Sequence, residues 1–257
     1  MGTMHRHMGA EEAVCITDDL YWVGFADEKS HLHCNPYLLV DASGNDIEAV
    51  LFDPGSLTDF PKIMRKVLEV IDPAKISVIV AHHQDPDVCS NIPVVEDLIG
   101  RSDLRVAAHG NSIRLIRHYG IQSLLYAVEE HDYALTLNSG RVLEFMFTPY
   151  LHSPGAIVSY DGQTKSLFTS DIFGAVSEQW SLVATDASFL SRMDGWHQTY
   201  MPSNRVLKHA LERIEQRWDI ERILPQHGSV IGADMVAQAF GHLKGLACGI
   251  DLDEHHP

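Results

Sequence analysis

Twice along this chain, short β-type runs follow one another and then give way to strands that alternate with helices. No other feature limits the fold as much. In the first half the runs are 20–25, 36–41 and 48–53, separated by turn residues such as Ser43-Gly44-Asn45-Asp46. Residues 59–71 then place Phe60, Ile63, Met64, Val67, Leu68 and Ile71 at helical spacing, which predicts an amphipathic helix. A buried strand is expected at 76–81, helices near 91–99 and 111–118, and a short strand between them at 104–108. The second half repeats the scheme, with strands at 141–147, 156–160 and 165–169. A helix follows at 203–217, with Ser203 as its N-cap and Val206, Leu207, Ala210, Leu211 and Ile214 on one apolar face. A last strand at 222–224 leads to a closing helix near 232–244. Two mixed β-sheets packed face to face and flanked by helices satisfy this order, an α/β fold of the αββα sandwich type. A doubly wound nucleotide-binding fold fits worse, because no Gly-x-Gly-x-x-Gly follows a first strand.

The 257 residues are 45% hydrophobic and 21% charged, enough for a packed core and unlike a disordered or collagen-like chain. No apolar run reaches the roughly 18 residues of a spanning helix. The opening Met1-Gly2-Thr3-Met4-His5-Arg6-His7 lacks the apolar stretch of a secretion signal, so a cytoplasmic location is expected. Acidic residues outnumber basic ones 35 to 19, a net charge of −16. That field repels phosphate, which argues against nucleic acid or an anionic membrane as partner, and it favours cations. Cys15, Cys34, Cys89 and Cys248 form no Cys-x-x-Cys pair, so zinc ribbons, rubredoxin-type iron and thioredoxin chemistry are excluded. Free, mostly buried thiols are expected. Sixteen histidines stand out.

The strongest chemical signal is His82-His83-Gln84-Asp85-Pro86-Asp87-Val88, directly after the strand expected at 76–81. Strand ends are where layered α/β folds aim side chains from a rigid scaffold. His83, Asp85 and Asp87 alternate, so an extended stretch would project them to one side. An imidazole and two carboxylates so close together suit iron, manganese or zinc. Three later residues sit at or just past the ends of apolar runs, beside Gly or Pro: His152, Asp171 and His227. Singly, each reads as a structural histidine or a turn aspartate; four such segments in this order read differently.

Together they resemble the metallo-β-lactamase superfamily and, within it, the flavodiiron branch. The superfamily's first motif is His-x-(His/Glu)-x-Asp-His, followed by a later His, a later Asp and a final His. Here Asp85 occupies the carboxylate slot, and Val88 stands where hydrolases carry a histidine. The wording His83-Gln84-Asp85-Pro86-Asp87-Val88 is most similar to the stand-alone oxygen-binding diiron proteins, some of whose relatives are implicated in oxygen sensing for chemotaxis. The resemblance spans about 20–245. It implies that Asp171 bridges two metals, with His83, Asp85 and His152 on one and Asp87 and His227 on the other. It also implies two iron ions (Fe2+/Fe3+) with an oxo, hydroxo or peroxo bridge, and no FMN within this chain. The ligand would be dioxygen, with nitric oxide as a further candidate, and a chemotaxis or other signalling protein the partner. A homodimer is expected by analogy. The whole chain is expected to form one such diiron domain with frayed ends at 1–12 and 246–257 and no flavodoxin domain.

The physical reading runs the same way. A carboxylate at 85 hardens the ligand set toward iron. Val88 cannot ligate, so the second metal has one protein ligand fewer than in a binuclear hydrolase, which favours dioxygen chemistry over hydrolysis. An oxygen sensor or carrier is the first expectation. The alternatives are an O2 or NO reductase fed by separate flavin or rubredoxin donors, and a zinc-dependent hydrolase; any enzyme of this type would be an oxidoreductase first. Around the ligands, His33, Cys34, Asn35 and Tyr37 are candidates to lie over the pocket. His82 is expected to turn to the opposite face as a structural residue, and Cys89 to be a buried thiol. Phe173, Tyr150 and Trp180 would line an apolar pocket or pack in the core. His5, His7, His255 and His256 are expected to fray with the termini.

Overall fold

Four strands open the first sheet as an antiparallel meander: β1 (Val14–Thr17), β2 (Leu20–Trp22), β3 (Tyr37–Ser43) and β4 (Asp46–Phe52). Then β5 (Ile76–Val80), β6 (Arg105–Ala108) and β7 (Leu124–Ala127) add in parallel, and the sheet order follows the chain. Parallel neighbours need crossovers. These are α1 (Phe60–Val70) before β5, α2 (Pro86–Cys89) and α3 (Ile92–Ile99) before β6, and α4 (Gly110–Ile116) before β7. The second sheet runs from β8 (Ala134–Thr136) through β9 (Val142–Phe147) and β10 (Ile157–Asp161) to β11 (Ser166–Ser170), each antiparallel to the last. After α5 (Asp194–Tyr200) and α6 (Asn204–Arg217), β12 (Arg222–Pro225) pairs in parallel with β11. The edge strand β13 (Ile231–Gly232) and α7 (Ala233–Lys244) complete the order. This computed structural model describes residues 11–252 apart from 28, 44, 45 and 179. The histidines at 5, 7, 255 and 256 lie outside the described residues.

Period-2 alternation sorts the strand residues into three packed layers. Val50, Phe52, Val78 and Val80 face Phe145, Ile157, Phe168 and Leu224 between the sheets. At the centre, Phe52 and Phe168 stack with ring centroids 3.9 Å apart. Leu51 and Ile79 point the other way, onto Ile63 and Val67 of α1 and Val95 and Ile99 of α3. On the far side Leu167 and Ile223 meet Leu207 and Leu211 of α6 and Phe240 and Leu243 of α7. The αββα sandwich expected from the sequence is the observed architecture. Ser203 caps α6 as expected, its hydroxyl accepting from Val206 N at 3.4 Å. Among the described residues no helix is long and apolar enough to cross a membrane.

Two expectations need correction, and several short elements were not expected at all. The stretch around Asp85 is not extended throughout: Asp85 is extended, but Pro86–Cys89 is helical, with Pro86 at the first position. Proline's fixed φ and missing N–H suit that position, so Pro86 turns the chain into a helix between the two carboxylates. The strands β1, β7, β8 and β13 and the helix α5 are too short for hydrophobic periodicity to reveal them. Finally, the terminus expected to fray from 246 is docked as far as 252. Cys248 is fully buried, Gly249 bridges to Ser203, and Asp251 Oδ2 accepts from Cys248 N at 3.2 Å and Asn204 N at 2.5 Å. The segment is held because it supplies acceptors to the α6 N-terminus, whose first N–H groups have no partner within the helix. Glu11 and Glu12 are exposed.

At the end of the sandwich where β9 begins and β10 finishes, one buried guanidinium ties the sheets together. Arg141 donates to both oxygens of Asp161 at 2.8 and 2.6 Å, and its Nη1 reaches Asp19 of the first sheet. Burial works against ionised Asp161, but Arg141 and Thr164 outweigh it and hold its carboxyl below the usual range. Arg141→Met leaves that carboxylate buried and unpaired, and is expected to cost about 3–5 kcal/mol in urea denaturation at neutral pH. The folded-state pKa of Asp161 is depressed, so its contribution is complete above the unfolded carboxylate range. It is lost as pH falls through the depressed value. The difference between Arg141→Met and the parent chain should shrink over that acid range.

Candidate metal centre

The opposite end of the sandwich is where the candidate ligands gather. His83 and Asp85 leave the end of β5, and Asp87 stands in the first turn of α2. His152 lies on the β9–β10 loop, Asp171 directly after β11 and His227 shortly after β12. Each sheet therefore contributes, and the first sheet supplies one contiguous motif.

Asp171 is the centre of the arrangement. Its Oδ2 lies 2.8 Å from His152 Nε2 and 3.6 Å from His83 Nε2, while its Oδ1 lies 3.7 Å from His227 Nε2. Asp85 Oδ2 joins the first pair, 3.3 Å from His152 Nε2 and 3.6 Å from His83 Nε2. Asp87 Oδ2 joins the other side, 3.2 Å from His227 Nε2. The six residues fall into two groups, one on each oxygen of Asp171. Ligand atoms of His83, His152 and Asp171 all lie within 4.8 Å of one another, close enough to hold a metal ion.

Three of the atoms aimed at the centre lack partners. His83 Nε2, His227 Nε2 and Asp171 Oδ1 are buried and accept or donate no hydrogen bond. An unsatisfied buried polar atom costs about 1–3 kcal/mol, so three facing one another call for a cation. The donor chemistry fits, since imidazole and carboxylate together suit iron, manganese or zinc. Electrostatics agree. Burial pushes the Asp171 carboxyl up, but His83, His227 and His152 outweigh it and hold it at about 2. Burial alone would lower His152, yet Asp171 and Asp85 raise it to about 10. Asp171 and Asp85 likewise raise His83, and Asp87 and Asp171 raise His227, against the effect of burial.

Surrounding groups fix these side chains in place. His227 Nδ1 donates to the His33 carbonyl at 2.9 Å; a carbonyl only accepts, so in the neutral ring the lone pair is on Nε2. Ser170 Oγ lies 3.0 Å from His83 Nδ1. Gln84, between two candidate ligands, donates from Nε2 to Asp85 Oδ1 at 2.8 Å and accepts from Ser153 Oγ. It thereby leaves Asp85 Oδ2 for the centre and joins the motif to the His152 loop. Ser170 and Phe173 on either side of Asp171 have φ of 50° and 66°, a left-handed conformation that costs a non-glycine residue about 1–2 kcal/mol. Helix α5 braces that turn: Trp196 Nε1 donates to Asp171 O at 3.0 Å, and His197 Nε2 accepts from Phe173 N at 3.1 Å.

Other sequence candidates occupy different places. His82 joins the two sheets, pairing through Nδ1 with Asp53 Oδ2 at 2.7 Å and through Nε2 with Ser159 Oγ at 2.8 Å. The ring of His33 is committed to Asp27 N and Ser177 O, so only its carbonyl serves the site. Tyr37 donates to Pro225 O at 2.9 Å, and Asn35 to Pro225 O and Gly228 O. Cys89 is buried with its thiol on Asp85 O. Phe173 packs on Phe240, and Trp180 on Trp22 and His33, as core residues. Tyr150 is 56% exposed. Sequence reading overlooked Gln84, Ser170, Trp196 and His197. Position next to a candidate ligand would have flagged the first two; nothing local marks the α5 pair.

Substitutions separate ligands from supports. Asp171→Ala is expected to abolish binding of two metal equivalents, measured by elemental analysis. His82→Ala should keep metal content and lose about 1–3 kcal/mol of stability in thermal denaturation. The reverse result would put the register of the motif off by one. Gln84→Ala should weaken metal affinity by about 10- to 100-fold without unfolding the chain, read by competition with a chelator.

A family profile described as ODP family beta lactamase matches residues 32–228. The apo state of the chemotaxis sensor ODP from T. denticola superposes with a TM-score of 0.74 at 26% identity, covering 94% of this chain and 97% of that one. A structure described as a peroxy diiron species of chemotaxis sensor ODP superposes with a TM-score of 0.76 at 26% identity, covering 94% and 98%. The nitric oxide reductase of Moorella thermoacetica is 24% identical over 243 residues, 85% of this chain and 57% of its own length. The chain spans about half the length of the curated relatives it matches.

Proposed function

Since this chain belongs to the ODP family of beta-lactamase proteins, we propose that it is a non-haem diiron protein that binds dioxygen and acts as an oxygen sensor or carrier in signalling. The division of the two Asp171 oxygens between His83, Asp85 and His152 on one side and Asp87 and His227 on the other carries this reading. The peroxy diiron species described for the similar sensor supports the choice of iron and of dioxygen. The chemotaxis role named for that sensor supports a signalling partner. A cytoplasmic location and a homodimer belong to the same reading.

Two irons held there would supply electrons to dioxygen and open coordination positions for it. The chain's own residues determine how. Asp171 sets the separation of the two groups, Asp85 adds a hard anionic donor where a hydrolase has a neutral one, and Val88 adds no donor on the Asp87 side. The His33 carbonyl holds the His227 lone pair toward the centre. His83, His227 and Asp171 form a buried floor. The side chains of Asp85, Asp87 and His152 are 30%, 36% and 19% exposed, so a small ligand reaches the centre past them.

A second reading is a reductase of dioxygen or nitric oxide supplied by separate flavin or rubredoxin donors. Similarity to the Moorella nitric oxide reductase supports it. Optical spectra of anaerobically reduced, iron-loaded protein before and after admitting air distinguish the two. The expected result is a visible charge-transfer band that persists for minutes. Rapid bleaching to a plain diferric spectrum would favour the reductase. No change at all would leave neither standing and point to a zinc hydrolase.

A further inference from the structure

Helix α5 stands between the candidate metal centre and residues 245–252, and it is fastened on both sides. Toward the centre it meets three candidate ligands. Trp196 Nε1 donates to Asp171 O at 3.0 Å, the Trp196 ring lies 5.0 Å from the His227 ring, and the Tyr200 ring lies 5.7 Å from the His152 ring. Away from the centre, Asp194 Oδ1 pairs with His242 Nε2 of α7 at 2.5 Å, and Gln198 O accepts from Gly249 N at 3.1 Å. Just past the helix, Pro202 O accepts from Ile250 N at 3.0 Å.

Residues 245–252 lie over this region with one apolar anchor. Cys248 alone among them is buried, in the cluster that also holds Met201, Ile172 and Phe173. Ile250 is 68% exposed. The rest of the hold is polar: Gly249 bridges to Ser203, Asp251 Oδ2 accepts from Asn204 N, and Asn204 Nδ2 donates back to Leu246 O at 2.8 Å. A segment held by one buried side chain and a few hydrogen bonds opens at a lower free energy than the sandwich it lies on. Its fit is tight at one point. Gly249 has a φ of 54°, and a Cβ there would run into the Met201 and Pro202 carbonyls.

We propose that residues 245–252 are a strap whose docking is coupled, through α5, to occupancy of the metal centre. Metal held by Asp171, His152 and His227 fixes the groups on which Trp196 and Tyr200 lean. With only seven residues, α5 moves as one body, so the same constraint reaches Gln198 and Pro202, whose carbonyls the strap needs as acceptors. Linkage makes the effect reciprocal: the factor by which metal favours docking is the factor by which docking favours metal. This coupling rests on the two-metal reading above and gives it an output, a surface outside the centre that changes with its occupancy.

The Cys248 thiol reports the strap. Burial, and then Asp251, push it up to about 11, so it reacts only when the strap lifts. Iodoacetamide labelling resolved by peptide mass spectrometry compares metal-free protein with protein loaded anaerobically with iron(II). Loading should slow Cys248 at least about fivefold and leave the exposed Cys15 unchanged. Gly249→Ala releases the strap without touching a candidate ligand. Its Cys248 should label at one fast rate in both states, and by reciprocity it should bind iron at least about fivefold more weakly in competition with a chelator. Equal Cys248 rates in the unaltered chain carrying two equivalents would overturn the proposal and leave the two-metal reading intact. So would protection of Cys248 by iron together with undiminished affinity in Gly249→Ala, the pattern of general stabilisation. Uptake of fewer than two equivalents by the unaltered chain would sink both. Hydrogen exchange of the Gly249 and Ile250 amides needs no variant. Slowing on loading supports the coupling, and equal rates exclude it.

Discussion

A fully desolvated carboxylate whose two oxygens face different imidazoles can be held only if positive charge reaches both sides of it. Asp171 is that carboxylate, at 2% exposure. Burying an ion carries a penalty of several kcal/mol after relaxation, which only close opposite charge offsets. The surrounding structure is arranged to bear this load. Two residues in left-handed conformation flank it, Trp196 holds its carbonyl, and His197 holds the next turn. None of these contacts would be needed for a polar residue free to turn toward water.

The sandwich has a charged joint at each end, and the two differ in where the positive charge comes from. Where β9 begins, Arg141 supplies it from within the chain to Asp161, Asp19 and Asp41. Where the candidate ligands gather, the groups beside the carboxylates of Asp85, Asp87 and Asp171 that can carry positive charge are imidazoles. Imidazoles answer the need by taking protons or by giving their lone pairs to metal. His82 carries the structural part of that upper joint, spanning Asp53 and Ser159, so His83 beside it is free to face the centre. Neighbouring histidines on opposite sides of one strand end thus divide the mechanical and the chemical task.

How much of this could be read from the chain alone depended on periodicity and on residue type. Helices such as α1 and α6 and central strands such as β5 announce themselves, because apolar spacing reports which face is buried. The six residues that meet at the centre were readable because His and Asp recur beside Gly or Pro just past apolar runs. Their relative placement was not. Pro86 starts a helix inside the motif, so Asp87 reaches the second group by a turn that alternation does not predict. Helix α5 was missed altogether: only seven residues long, it is held by contacts with the Asp171 turn that no local pattern encodes. The docked segment after 246 was missed for the same reason, since its order comes from the α6 terminus it caps.

Burial at the centre is graded, and the gradient has a kinetic meaning. A cation arriving from solution meets Asp85 and Asp87 first, at side chains 30% and 36% exposed. It reaches His83 and His227 only afterwards, at 2% and 0%. Oxygen donors at the rim capture hard divalent ions with little selectivity, and nitrogen donors within discriminate among them. Entry from solution therefore runs inward from the partly exposed Asp85, Asp87 and His152 to the buried imidazoles of His83 and His227.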